Sequence, residues 1–186
     1  ACACSTRGTS ERAMVKKYIR IAAAMVGIGG LLAGMALPTF ANLATGSSQV
    51  AISSDNAQNR RLVLSLRSRR VFLYQGEMLL SSYPVAVGTQ ETPTPQGEFA
   101  VSKMEVNPVW QRPWTGEVHE PGPDSALGLR WIEFTSTADG AFGFHGTPTV
   151  ESIGQAASNG CVRMFNEDVV ALFSQVSIGT PVLIVQ

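Results

Sequence analysis

The chain has 186 residues, 45% hydrophobic and 15% charged, with a formal net charge of zero. That length allows one domain with a substantial core, but not a comfortable pair. Of the 14 basic residues, Arg7, Arg12, Lys16, Lys17 and Arg20 precede residue 42, against Glu11 alone of the 14 acidic ones; the remainder holds nine basic and thirteen acidic residues, net −4. Without a basic excess it has little to hold nucleic-acid phosphates, and that class is excluded.

In chain order, residues 1–13 fit no structural pattern and read as sequence upstream of a true start at Met14. Residues 14–41 read as a signal peptide. "MVKKYIR" is a short basic region, Ile21–Ala41 carries no charge, and Pro38 with Thr39–Ala41 suits a signal peptidase. An uncleaved anchor is the competing reading, because the apolar stretch is close to spanning length. Residues 42–60 are small and polar, a linker. Cleavage after Ala41 would remove Cys2 and Cys4 and leave Cys161 as the only cysteine. In an exported chain an odd cysteine is either buried and inert or reactive.

From residue 61 the pattern becomes β. "RLVLSL", "RRVFLYQ" and "EMLLSSYPVAVG" predict an antiparallel meander, with a turn at Gln75-Gly76. "GEFAVSKMEV", "LGLRWIEF", "GAFGFHG" and "TPVLIV" predict further strands. One helix is predicted after the cysteine, capped by Asn166, with Glu167 and Asp168 at its positive end and an apolar stripe from Val169 to Val176. Two proline-rich segments interrupt the strands, "TQETPTPQGEF" and "NPVWQRPWTGEVHEPGPDSALG". The second reads as a long exposed loop carrying Trp110 and Trp114, and a loop of that length is usually functional or disordered.

The chemistry concentrates in "FHGTPTVESIGQAASNGCVRMF", Phe144 to Phe165, where Cys161 follows His145 by sixteen residues. Gly160 before the cysteine allows a sharp turn that would present the sulfur at a surface and leave backbone N–H groups nearby for an oxyanion. A thiol attacks as thiolate, and a nearby imidazole takes its proton. The pair therefore points to acyl transfer through a thioester. A backbone carbonyl or Glu151 is left to orient the imidazole. The plainer readings are a small buried cysteine and a structural histidine. One cysteine and two histidines lack metal-ligand spacing, so no metal is expected. Arg163 reads either as a solvated side chain or as a fork for a substrate carboxylate. Trp110 and Trp114 read as core or as substrate wall.

These residues lie in an ordered set of segments: His145-Gly146-Thr147, Ser152-Ile153-Gly154, and Ser158-Asn159-Gly160-Cys161-Val162-Arg163-Met164, preceded by "TPTPQGEF", "NPVW" and "LGLRWIEF" and followed by "IGTPVLI". Over about Leu62 to Val185 the chain resembles the L,D-transpeptidase family, the YkuD-like catalytic domain of bacterial cell-wall enzymes. The resemblance implies a mainly β, sandwich-like fold with one short helix, over residues 61–186. It implies Cys161 as nucleophile and His145 as base, with the Gly146 carbonyl orienting His145. Ser158, Gly160 and Arg163 would shape the pocket, with N–H groups near Cys161 as oxyanion hole; Asn159 and Trp110 are expected beside them as substrate-binding residues on this chain's own pattern. Peptidoglycan stem peptides would be donor and acceptor, giving 3→3 crosslinks without metal or cofactor. The protein would be a monomer in the periplasm or cell wall, touching membrane only through its signal segment. Asn159 departs from the family, where many members have histidine. It removes a titratable group from beside the thiol, and it retains hydrogen-bonding capacity and tolerance of a left-handed backbone. The alternatives kept open are an L,D-carboxypeptidase or wall hydrolase of the same fold, a non-catalytic peptidoglycan-binding module, and a membrane-anchored structural protein.

Overall fold

The structure is a computed structural model and describes residues 59–112, 115–138 and 140–186. The upstream segment, the signal peptide, nearly all of the linker and Trp114 lie outside the described residues. The strands are β1 (Arg60–Ser65), β2 (Arg70–Gln75), β3 (Met78–Pro84), β4 (Val87–Gly88), β5 (Gly97–Ala100), β6 (Lys103–Val106), β7 (Trp110–Gln111), β8 (Val118–His119), β9 (Arg130–Thr137), β10 (Gly140–Gly146), β11 (Ala156–Ser158), β12 (Val162–Met164) and β13 (Pro181–Val185), with helix α1 (Asn166–Phe173) between the last two.

The predicted meander is β1 to β3. β1 and β2 pair antiparallel from Arg60–Gln75 to Ser65–Arg70, and β3 extends the sheet beyond β2. The turn turns on Gly76, at φ +57. β13 joins β1 in parallel and β5 closes the order β3-β2-β1-β13-β5. Alternation does its ordinary work here: Leu62 and Leu64, Val71 and Leu73, and Val182 and Ile184 all point to the core, two residues apart on their strands. The second sheet has the order β12-β10-β9-β6. Its Ile132, Phe134, Phe144, Val162 and Met164 meet the first sheet's side chains in one cluster, joined by Val169 and Leu172 of α1. The fold is therefore mainly β, two sheets sharing one core, with one short helix completing it.

Three expectations need correction. "GEFAVSKMEV" is two strands, one in each sheet. The chain changes sheets at Val101 and Ser102, whose N–H groups donate to Thr180 O and Glu133 O at 2.9 and 2.8 Å. Alternation cannot reveal such a corner, because both halves obey period two. The long proline-rich segment is not a plain loop. It contains the β7–β8 hairpin, with Trp110 opposite His119. Asn166 does not cap the helix. Phe165 holds the cap position with no side-chain hydrogen bond, and Asn166 is the first helical residue. Its amide is used elsewhere, as described below.

Candidate active site

The second sheet has a core face and an outer face, and period two decides which residues share each. Phe144 and Val162 are register partners on the core face. Their neighbours His145 and Arg163 are partners on the opposite face, and Cys161, two residues before Arg163, belongs to that face too. On the next strand Trp131 is paired with His145. Cysteine, histidine, arginine and tryptophan separated by up to 32 residues in sequence are thus brought to one patch of sheet.

Trp131 organises this patch. Its ring centre lies 6.0 Å from that of His145. Its indole passes over Gly143, where a Cβ would come within 3.0 Å of the ring. It packs with Leu127 and Cys161, with Trp110 and Ala141 against them. The result overturns one expectation: Cys161 is not at a surface but fully buried, and His145 is 2% exposed. The sulfur contacts Ala141 O at 3.7 Å. It is also disulfide-bonded, so thiol chemistry at this position belongs to the reduced form.

His145 Nδ1 lies 2.7 Å from Gly146 O. A carbonyl only accepts, so Nδ1 carries the proton and the lone pair sits on Nε2. The orienting group is therefore this carbonyl rather than Glu151, which is exposed. Burial pushes the imidazole pKa down to about 4; the Gly146 hydrogen bond raises it and the positive Arg163 lowers it further. The ring is neutral at pH 7, the form that accepts a proton.

The turn before the cysteine is braced from two sides. Gly160 stands at φ +101, and a Cβ there would come within 2.7 Å of the Phe142 ring. Asn159 does not share the left-handed conformation and is exposed. The Ser158 hydroxyl donates to Cys161 O at 2.5 Å and accepts from Gly160 N–H at 3.2 Å. That second bond matters for the oxyanion expectation, because the Gly160 N–H is directed at Ser158 rather than at a substrate. Ser158 O accepts in turn from Thr89 N–H and the Thr92 hydroxyl, at 3.2 and 3.1 Å. Thr89 and the first residue of "TPTP", Thr92, thereby buttress the turn before Cys161.

Beside the patch lies a groove of about 230 Å³, lined among others by Trp110, His119, Ser125, Thr147, Thr149 and Arg163. The β7–β8 hairpin forms one wall. The Trp110 and His119 rings lie 4.7 Å apart at a tilt of 44°, and Glu117 pairs with Arg112 across the hairpin at 3.0 Å. Burial depresses the Arg163 pKa, with no carboxylate contributing. Of the residues expected at the site, Trp110 and Arg163 line this groove, while Cys161 and His145 belong to the adjoining sheet face and are not part of its lining. Ser158 and Gly160 support the turn from behind, and Asn159 faces outward. Sequence reasoning gave no site role to Trp131, Ser125 or Thr147, although all three stand in the quoted segments, and it read Asn166 only as a helix cap. Trp131, in "LGLRWIEF", was readable only as a strand residue. Among the described residues no group of His, Cys, Asp and Glu is placed to hold a metal.

A β sandwich carrying a cysteine and a neutral histidine on one sheet face is the architecture of a cysteine acyltransferase candidate. Residues 59–184 match the L,D-transpeptidase catalytic domain, YkuD, and the chain belongs to that family. YqjB of Bacillus subtilis, named as an L,D-transpeptidase, is 37% identical over 125 residues, covering 66% of this chain and 69% of that protein. YkuD of Bacillus licheniformis, named likewise, is 39% identical over 124 residues, covering 67% and 64%. Among solved structures, the L,D-transpeptidase from Mycobacterium smegmatis shares the fold at a TM-score of 0.54 and 20% identity, covering 69% of this chain and 59% of that one. The catalytic domain of the Enterococcus faecium L,D-transpeptidase does so at 0.54 and 23%, covering 68% and 96%.

Proposed function

We propose that the protein is an exported cysteine L,D-transpeptidase that forms 3→3 crosslinks between peptidoglycan stem peptides. The observation that carries this reading is the shared sheet face of Cys161 and His145, with His145 held neutral and its Nδ1 proton committed to Gly146 O. The reduced Cys161 loses its proton to His145 Nε2. The thiolate attacks the carbonyl carbon of the third stem residue, a diamino acid. The carbon–nitrogen bond to the terminal D-Ala breaks, and the imidazolium returns its proton to the leaving amine. The side-chain amine of a second stem then attacks the thioester, the sulfur leaves, and the new amide is the crosslink. Arg163 and Trp110 bind the donor in the groove, while Ser158 and Gly160 shape the turn. The expected signal peptide over residues 14–41 supports an address outside the cytoplasm.

The test is incubation of the full chain with a disaccharide-tetrapeptide under reducing conditions, followed by mass spectrometry, with Cys161→Ala as control. A dimer that has lost one D-Ala, absent from the control, is the expected product. Tripeptide without dimer would move the function to L,D-carboxypeptidase. No product in either sample would leave the fold without this activity.

A further inference from the structure

The carbonyl that orients His145 belongs to a glycine, which has no side chain with which to hold its own peptide plane. Gly146 is the last residue of β10 and the register partner of Met164 on β12. Two residues beyond Met164 the chain enters α1 at Asn166, whose side chain meets Gly146. A Cβ on Gly146 would come within 2.0 Å of Asn166 Oδ1 and 3.2 Å of Gly128 Cα. The amide oxygen therefore fills the place where a side chain on Gly146 would begin. Gly128 completes the contact: it stands at φ +60, and a Cβ there would meet Asn166 Oδ1 at 2.2 Å and Gly146 Cα at 2.6 Å.

Asn166 is itself anchored. Its Oδ1 accepts from Leu129 N–H and its Nδ2 donates to Pro123 O, both at 3.1 Å. A polar side chain at a helix start ordinarily gives its oxygen to the N–H groups of the first turn. Here the helix is left without a side-chain cap, and the amide is held at both ends by a distant loop. Gly146 is buried, so in a close-packed interior it does not shift without moving Asn166. Gly146 O lies 2.7 Å from His145 Nδ1. A carbonyl only accepts, so the place of this oxygen decides which ring nitrogen carries the proton.

We propose that Asn166 is a positioning residue for the base: its amide oxygen, wedged against Gly146, holds the carbonyl that keeps the His145 proton on Nδ1 and leaves the lone pair on Nε2. This deepens the acyl-transfer reading above and rests on it for the effect on turnover. Without the wedge the Gly146 carbonyl is free to turn away, and the neutral ring populates the tautomer with its proton on Nε2. That tautomer cannot accept a proton there. The role is separable from packing. A residue that only filled space would change stability and leave the proton where it is.

The test reads the tautomer directly, by nitrogen NMR of isotopically labelled histidine in the full chain, under reducing conditions at pH 7, where the ring is neutral. The His145 signals are those lost in His145→Gln. The wild type should carry the proton on Nδ1. Asn166→Ala, which deletes the amide, and Asn166→Gln, which displaces it by one carbon, should each lower the ratio of Nδ1–H to Nε2–H by about fivefold, within what one hydrogen bond contributes to an equilibrium. Asn166→Asp keeps an oxygen against Gly146 and should stay within about twofold of the wild type. Acylation by the disaccharide-tetrapeptide, followed in the same proteins by mass spectrometry, should fall in step with the Nδ1–H population. A wild-type proton on Nε2, or an unchanged ratio in either of the first two variants once folded, would overturn the positioning role. So would an Asn166→Asp ratio as low as that of Asn166→Gln. A ratio that falls as expected in a protein whose wild type forms no acyl-enzyme would uphold the positioning and overturn the acyl-transfer reading instead.

Discussion

Acidification should destabilise this protein through one identifiable group, His145. Its pKa falls from an ordinary 6.5 to about 4 in the fold, chiefly because the ring is buried. The folded state therefore binds fewer protons than the unfolded state between those values, and stability must fall as pH drops through the window. At 1.36 kcal/mol per pKa unit, the loss attributable to His145 is about 1 kcal/mol at pH 6, about 2 at pH 5 and about 3 at pH 4. The full contribution is present only above pH 6.5. Asp168 works the other way, its carboxyl pushed up by burial, so raw pH dependence mixes opposite signs. Comparing the wild type with His145→Gln removes that problem, because Asp168 is common to both. Urea unfolding of the two proteins at pH 7, 6, 5 and 4 should show the stability difference shifting against the wild type by about 3 kcal/mol across the series. Parallel pH profiles would refute the reasoning, since they would mean that His145 titrates normally and is not desolvated as the fold requires.

Other perturbations separate the parts of the site. Gly160→Ala should cost about 2 kcal/mol in thermal or urea unfolding, from a disfavoured positive φ and contact with Phe142, and should lower alkylation of reduced Cys161 by misplacing the turn. Asn159→His should leave the acylation rate within about tenfold, because the exposed side chain lies outside the groove; a larger change in pre-steady-state acylation would show that this position governs the thiol. Shortening the connection between β7 and β8 should lower turnover more than unfolding free energy, as a groove wall predicts; equal losses in the two assays would make the hairpin structural only.

Much of the fold was legible because the strands obey period two. Leu62, Leu64, Val71 and Leu73 announce a sheet with one buried face before any coordinate is known. The pairing of His145 with Arg163 follows the same logic once β10 and β12 are known to be parallel, but nothing local says that they are. The burial of Cys161 was illegible for a related reason. Cys161 packs with Trp131 and Leu127, and Trp131 lies over Gly143, where the β9–β10 register shifts between Phe142 and Gly143. A bulge displaces side chains without leaving a mark in composition. Asn166 was misread because a polar residue before an amphipathic run is a good cap by local rules. The fold uses its amide for two backbone groups 37 and 43 residues away, and that long-range demand displaced the local one.

The same contrast bears on how the site selects its reaction. The turn before Cys161 spends its own polar groups on rigidity: Ser158 takes the Gly160 N–H and holds Cys161 O, while Thr89 and Thr92 fix Ser158 O. Little at the turn remains free to adapt to a substrate. In the proposed function, recognition is left to the groove lined by Trp110, Thr147 and Arg163. Under the proposed acyl-transfer function, the groove rather than the turn would choose the donor. Whether an amine or water then resolves the thioester depends on what the hairpin wall admits. In that reading chemistry and specificity belong to different segments, the first written in "SNGC" and "FHGT", the second assembled by the loop and the hairpin that wall the groove.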